Sequence, residues 1–208
     1  MLSSKNIIHQ VYRFYHRTGV MMHLHKQIVA RIVLIVLLTF GILTSAWAVG
    51  RGIHVIQSGP AYANVGIGAF NAAGVSPGPG YTNPILPELD IEYQTGAKLF
   101  GIGSVYGIVA NTNGGFMGYT GFYSDISWQH LVLTPVLAFG GYHQGRGKYL
   151  DGTFQFRLEL TLAYQFANGS RLGLKVAHIS NAFIKKSDPG EDEILINYSF
   201  PLHFGRLS

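Results

Sequence analysis

TFQFRLELTLAYQF, residues 153–166, alternates apolar and polar or small side chains over about fourteen residues. Such alternation predicts a β-strand with one apolar face. Strands of soluble domains average about five or six residues, whereas a tilted strand needs about nine to eleven to cross a bilayer. The apolar face has aromatic residues at both ends, and the other face carries Arg157 and Glu159, which can pair inside a narrow barrel. These features are typical of a transmembrane strand.

Similar segments recur along the chain and are separated by turn signals such as NTNGG and ANGS. We predict eight strands, near residues 61–71, 88–98, 101–111, 115–127, 130–141, 152–166, 170–181 and 191–203. An even number of strands permits antiparallel closure, and side chains fill the interior of an eight-stranded barrel. The predicted fold is therefore all-β, an eight-stranded antiparallel up-and-down transmembrane β-barrel. The alternative is a soluble lipocalin-like barrel, with its apolar face turned inward around a ligand. Strand length and scarce surface charge favour the membrane barrel.

The composition excludes several classes of function. The chain is 48% hydrophobic and 12% charged, and it contains no cysteine, which rules out disulfides and thiolate metal sites. Its net charge of +5 comes from residues 1–48, which hold five basic residues and no acidic one, so the basic balance is no argument for a nucleic-acid partner. The histidines outside residues 1–48 share no common ligand spacing. We expect neither a metal nor another cofactor.

The first 48 residues have the organisation of a secretory signal peptide. Arg31 precedes the apolar run IVLIVLLTFGILTSAWA, in which Ala46 and Ala48 form an A-x-A-type cleavage site. A transmembrane anchor is the alternative, but the strongly apolar part, about 12 residues, is short for a membrane span. We therefore expect a signal peptide over residues 1–48, with translation starting at Met1, Met21 or Met22, and the barrel over residues 49–208.

Strand phase predicts the direction of a His–Ser pair near the end of the chain. In residues 170–181, His178 and Ser180 share a face with three apolar side chains, whereas Lys175 lies on the opposite, interior face. In the last strand, Asp192 shares its face with four apolar side chains, those of Ile194, Ile196, Tyr198 and Phe200. His178, Ser180 and Asp192 should therefore all point outward, at one end of the barrel.

Polar groups on the lipid-facing wall are destabilising, so their clustering suggests a substrate that is itself in the membrane. Residues two apart on one strand face lie side by side, within reach of each other for a suitable rotamer. A neutral imidazole can then accept the proton of an attacking serine, and a carboxylate can fix the tautomer of that imidazole. From the residues alone, two readings remain open: a catalytic group, or a polar pair at the barrel rim beside a solvated acidic turn.

The C-terminal quarter resembles a known family. The motifs GTFQF, RLG, HISNA and PG, and the final tyrosine and proline, are similar to those of the outer-membrane lipid A 3-O-deacylases of the PagL type, also called acyloxyacyl-hydrolase-like proteins. The resemblance covers about the last 55 residues well. It implies an eight-stranded outer-membrane barrel that hydrolyses the ester-linked 3-hydroxyacyl chain at position 3 of lipid A.

The resemblance also implies roles for individual residues. Ser180 is the expected nucleophile, His178 the base and Asn181 a contributor to the oxyanion hole. The family carries a glutamate twelve residues beyond the serine, where this chain has Asp192 between two glutamates. Asp192 is therefore the expected acid, with Glu193 as the alternative if a bulge changes the strand phase.

The expected partner is lipid A or lipopolysaccharide in the outer leaflet of the bacterial outer membrane, with the chain embedded there as a monomer or homodimer. A non-catalytic structural or adhesive barrel is the alternative. In the loop QGRGKY, Arg146 and Lys148 are interpreted as solubilising residues, with contacts to lipid A phosphates as the second reading. One departure from outer-membrane barrels is the C-terminus, where Phe204 is followed by four further residues instead of ending the chain.

Overall fold

The computed structural model describes residues 52–74, 85–185 and 187–202. The predicted signal peptide, the alternative start sites and the segment after Phe204 lie outside the described residues. Within the described part of the chain, no helix has the length and apolar character needed to cross a membrane.

Ten antiparallel strands make up the described fold. They are β1 (Ile53–Val55), β2 (Ala61–Phe70), β3 (Leu86–Gln94), β4 (Ile102–Asn111), β5 (Phe116–Ser124), β6 (Ile126–Trp128), β7 (Leu131–His143), β8 (Phe154–Gln165), β9 (Arg171–Ser180) and β10 (Glu191–Leu202). The eight longer strands pair in the order β2–β3–β4–β5–β7–β8–β9–β10, and β10 pairs with β2, so the sheet closes on itself. The short β6 continues the line of β5 and pairs with β7, and β1 pairs with β6. The prediction of an eight-stranded antiparallel barrel is confirmed.

The predicted strand at 115–127 is interrupted at Asp125, which separates β5 from β6. The Asp125 carboxylate is buried and accepts hydrogen bonds from Thr134 Oγ1 (2.6 Å), Arg171 Nη1 (3.1 Å) and Lys98 Nζ (2.8 Å). These three partners hold the residue inward and break the alternation. The sequence analysis also missed β1, because three residues are too few to show a period.

The two faces of the barrel have opposite character. Large apolar side chains are exposed on the outer wall, including Ile67, Ile108, Leu162, Leu174 and Ile196. Charged side chains such as Arg157 and Lys175 are instead almost completely buried in the interior. The soluble lipocalin-like alternative is therefore wrong, because it requires the reverse arrangement. The outer wall suits hydrocarbon, and inside the barrel Arg157 and Lys175 are paired with carboxylates.

Ion pairs fill the middle of the barrel. Arg157 contacts Glu193, Glu159 and Asp90, and Lys175 Nζ lies 2.8 Å from Asp90 Oδ2 and 3.0 Å from Glu159 Oε1. Each charge is desolvated, so its partners are what make burial tolerable. The interior thus joins β3, β8, β9 and β10 through side chains as well as through the sheet.

The connections differ in length at the two ends of the barrel. Residues 71–85, 112–115, 144–153 and 181–190 link strands at one end, three of them as loops of ten residues or more, whereas 95–101, 129–130 and 166–170 link strands at the other in seven residues or fewer. In outer-membrane barrels the longer loops are extracellular. Leu150, from the 144–153 loop, is buried among interior apolar residues and so helps to close the long-loop end.

Candidate active site

The end of β9 and the start of β10 bring the predicted base and acid together. His178 is the direct register partner of Asp192, and His178 Nδ1 lies 2.8 Å from Asp192 Oδ1. The side chain of His178 is 6% exposed and that of Asp192 is 40% exposed. The predicted outward direction of both residues is confirmed, and they meet at the long-loop end of the barrel.

This contact determines what the imidazole can do. A carboxylate accepts but cannot donate when ionised, so His178 Nδ1 carries the proton of the bond. The neutral ring then has Nε2 as its basic nitrogen, the arrangement that a general base requires. Oriented in this way, the ring is able to take a proton from a hydroxyl group nearby.

Ser180 is the last residue of β9 and shares the outer face with His178. Across the sheet, Phe156 of β8 lies opposite Ser180, and Leu158 lies opposite His178. Both residues are buried rather than open to lipid: as whole residues, Ser180 is 6% exposed and His178 is 5% exposed. Strand phase predicted their direction but not their burial, and their register partners on β8 are one aromatic and one aliphatic residue.

Asn181 directly follows Ser180 and is almost completely buried. Its Nδ2 donates to the carbonyl oxygens of Ser187 (2.8 Å), Leu150 (3.2 Å) and Asp151 (3.4 Å). The residue predicted for the oxyanion hole therefore also ties two loops of the barrel mouth together. This second task was not visible in the sequence.

Glu193, the alternative acid, lies on the opposite face of β10 from Asp192. The pairing of β10 with β9 runs without interruption from Glu191↔Ile179 to Ser199↔Arg171, so the strand phase is kept. That phase directs Glu193 into the barrel, where it contacts Arg157. Glu191 is also inside, and its Oε2 accepts a hydrogen bond from the backbone N–H of Asn71 (3.0 Å).

The two basic residues of the 144–153 loop have different environments. Arg146 is exposed, whereas Lys148 is only 3% exposed and its Nζ donates to Asn71 Oδ1 at 2.8 Å. Burial lowers the pKa of the Lys148 ammonium from its usual 10.5 to about 8. The interpretation of Lys148 as a solubilising residue is wrong, because a loop has no period from which its burial can be read.

Among the described residues, one group of carboxylates has ligand atoms close enough together to hold a cation, namely Asp90, Glu92 and Glu159. The Lys175 ammonium lies between them, 3.6 Å from Glu92 Oε2 and closer to the other two. The positive charge that such a cluster requires is thus supplied by the chain itself.

Comparison with known proteins gives one family. A family model described as lipid A 3-O-deacylase (PagL) matches residues 12–201. No curated protein sequence matches the chain. A solved structure, the crystal structure of the outer membrane enzyme PagL, is similar with a TM-score of 0.49 and 14% sequence identity, covering 68% of this chain and 99% of the other.

Proposed function

This chain belongs to the PagL family of lipid A 3-O-deacylases, and from that premise we propose that it hydrolyses the ester-linked 3-hydroxyacyl chain at position 3 of lipid A through Ser180, His178 and Asp192. The observation that carries the proposal is the contact of 2.8 Å between His178 Nδ1 and Asp192 Oδ1 on the outer wall. His178 lies two residues before Ser180, on the same face of β9. A buried imidazole held by a carboxylate beside a serine is the arrangement of a serine esterase.

The reaction follows from these groups. Ser180 Oγ attacks the ester carbonyl carbon while His178 Nε2 takes the hydroxyl proton. The tetrahedral intermediate collapses as His178 returns the proton to the departing sugar hydroxyl, leaving the acyl group on Ser180. Water, deprotonated by the same nitrogen, then releases the 3-hydroxy fatty acid. Asp192 stabilises the imidazolium formed in each half of the reaction.

Asn181 is the proposed oxyanion donor. The longest of its three side-chain hydrogen bonds, the one to the Asp151 carbonyl at 3.4 Å, is the one that an oxyanion would replace most easily. A donor aimed at developing negative charge typically contributes about 10²–10³-fold to the rate. The other two bonds would continue to hold the side chain.

We place the chain in the bacterial outer membrane, with the site at the level of the outer leaflet. The site lies at the long-loop end, and its neighbours Phe156 and Leu158 belong to the apolar wall. The acyl chain of lipid A can therefore lie against that wall while its ester reaches Ser180. One chain supplies all three groups, so a monomer would suffice and a homodimer is not needed.

Mass spectrometry of lipid A from a host that expresses the chain tests this proposal. We expect the loss of one 3-hydroxyacyl mass with the wild-type protein and no loss with Ser180→Ala. Ser199→Ala is the matched control, because Ser199 lies inside the barrel on β10, and it should deacylate normally. Unchanged lipid A with folded wild-type protein would indicate a non-catalytic barrel, and full activity of Ser180→Ala would refute the nucleophile.

A further inference from the structure

The chain turns sharply directly after the proposed nucleophile. Ala182 and Phe183 have φ values of 51° and 60°, so two successive residues other than glycine adopt the left-handed conformation. This conformation brings Cβ close to the backbone and is rare in consecutive L-residues. Such a turn persists only where its surroundings hold it.

A single carboxylate holds this turn. The backbone N–H of Asn181 donates to Asp188 Oδ1 at 3.0 Å, and that of Phe183 donates to Asp188 Oδ2 at 3.2 Å. Asp188 is 8% exposed. Hydrogen bonds to a shielded carboxylate are stronger than neutral ones. Ile184 N–H closes the turn by donating to the carbonyl of Asn181 at 3.1 Å.

The turn is also anchored to the rest of the barrel. The Asn181 side chain donates to the carbonyl of Leu150, whose own side chain is part of the buried interior cluster. Gln155 Nε2 donates to the same carbonyl at 3.2 Å. Asp188 therefore fixes the backbone on one side of Ser180, and the paired strand β9 fixes it on the other.

We propose that Asp188 is a positioning residue for the ester hydrolysis: its carboxylate holds the left-handed turn at 181–183 and thereby sets the direction in which Ser180 faces. Asp188 does not touch the substrate. The proposal rests on the proposed function, since it concerns the geometry of that nucleophile. Misplacing a reacting group by about 1 Å can lower a rate about 10²-fold.

The test compares Asp188→Ala with the double variant Asp188→Ala/Ala182→Gly, using purified folded protein and lipid A in detergent micelles. Glycine adopts positive φ without steric cost, so it should restore the turn when the carboxylate is gone. For Asp188→Ala we expect kcat to fall at least about 30-fold with KM within about threefold. The kcat of the double variant should be at least about fivefold higher than that of Asp188→Ala. A role in folding alone would lower the folded fraction and leave kcat per folded molecule unchanged.

Asn113→Ala is the matched control. Its side chain lies at the same end of the barrel, where Nδ2 donates to the carbonyl of Arg146 at 3.3 Å, and it does not bind the 181–183 backbone amides. We expect its kcat to stay within about threefold of wild type. If Asp188→Ala does not fold, Asp188→Asn replaces it, and the loss should then be smaller because the amide oxygen can still accept one of the two N–H groups.

Amide hydrogen exchange gives a readout that does not depend on activity. Exchange at Asn181 and Phe183 should be faster in Asp188→Ala than in wild type, and slower again in the double variant. Wild-type kcat in Asp188→Ala, or no recovery with glycine, would overturn the positioning role while leaving the Ser180 assignment intact. A wild-type protein that releases no fatty acid would instead contradict the proposed function, and the exchange data would still report on the turn.

Discussion

The inner and outer faces of the sheet each carry an acidic side chain against a basic one. On the inner face Glu193 contacts Arg157, and both side chains are fully buried. On the outer face, one residue away along β10, Asp192 contacts His178, and 40% of the Asp192 side chain is exposed. A guanidinium has no acceptor nitrogen, whereas an imidazole can both donate and accept a hydrogen bond. The inner pair can therefore only stabilise the barrel, and the outer pair is the one to which the proposed function assigns acid–base chemistry.

The largest effect should come from Asp192→Asn, which keeps the shape of the outer pair but removes its charge. We expect kcat to fall about 10³–10⁴-fold, because the amide can stabilise the wrong imidazole tautomer and cannot balance the imidazolium. The free energy of unfolding should change by less than about 0.5 kcal/mol. Initial rates of 3-hydroxy fatty acid release measure the first quantity.

Glu193→Gln is the control for that experiment on the opposite face. It should keep kcat within about threefold where the protein is folded, but lower stability, because Arg157 loses a buried partner. The functional difference between the inner and outer pairs would be contradicted if Asp192→Asn retained more than about a tenth of the wild-type kcat. It would also be contradicted if Glu193→Gln lowered kcat as much as Asp192→Asn does.

The next largest effect should come from Arg157→Met, which leaves the buried acids around it without their shared cation. Removal of one partner of a buried ion pair costs about 3–5 kcal/mol. Equilibrium unfolding by urea in lipid vesicles, followed by the mobility of the folded barrel on unheated gels, measures this loss. Arg146→Met, at an exposed position in the 144–153 loop, should change stability by less than about 0.5 kcal/mol. Equal stabilities of the two variants would mean that the interior ion pairs do not hold the barrel.

The smallest effect concerns the barrel mouth. The pKa of Lys148 is about 8 in the folded protein and 10.5 in the absence of burial. Between these values the unfolded chain binds a proton that the folded chain does not, so stability should increase as pH rises from about 8 towards 10.5. By pH 10 this contribution should reach about 2.5 kcal/mol.

Lys148→Met removes this contribution. The difference between the unfolding free energies of wild type and variant should therefore depend on pH above about 8 and be constant below it. Other groups that titrate in this range, such as the tyrosines, are present in both proteins and cancel in the difference. A difference independent of pH from 7 to 10 would show that the Lys148 amine is not desolvated.

The alternation of side chains along each strand explains why the sequence predicts which residues face lipid and which face the interior. A period of two residues predicted the outer face of Leu174 and Ile196, the inner face of Lys175, and the separation of Asp192 from its inward-facing glutamate neighbours, because one barrel wall must suit lipid and the other must not. That prediction required no knowledge of which strands pair. It therefore held from the opening stretch at 153–166 to the last strand.

Contacts between loops could not be predicted in this way. The Lys148–Asn71 hydrogen bond joins residues 77 positions apart, and the hydrogen bond from Asn181 to the Leu150 carbonyl joins residues 31 apart. No periodicity relates such positions, and each contact depends on how the strands are staggered when the barrel closes. The residue opposite Ser180, Phe156, could not be predicted for the same reason, since it is set by the register of β8 against β9.

The ion-paired interior has a consequence for the cell that carries the protein. Arg157, Lys175 and their acids pair inside the lumen, and Leu150 is buried in the interior cluster, so the described side chains occupy the space where a channel would run. We therefore expect that such a protein can be made in large amounts without increasing the permeability of the membrane to antibiotics or ions. In a planar bilayer it should conduct no measurable current, and lipid remodelling would then leave the permeability barrier intact.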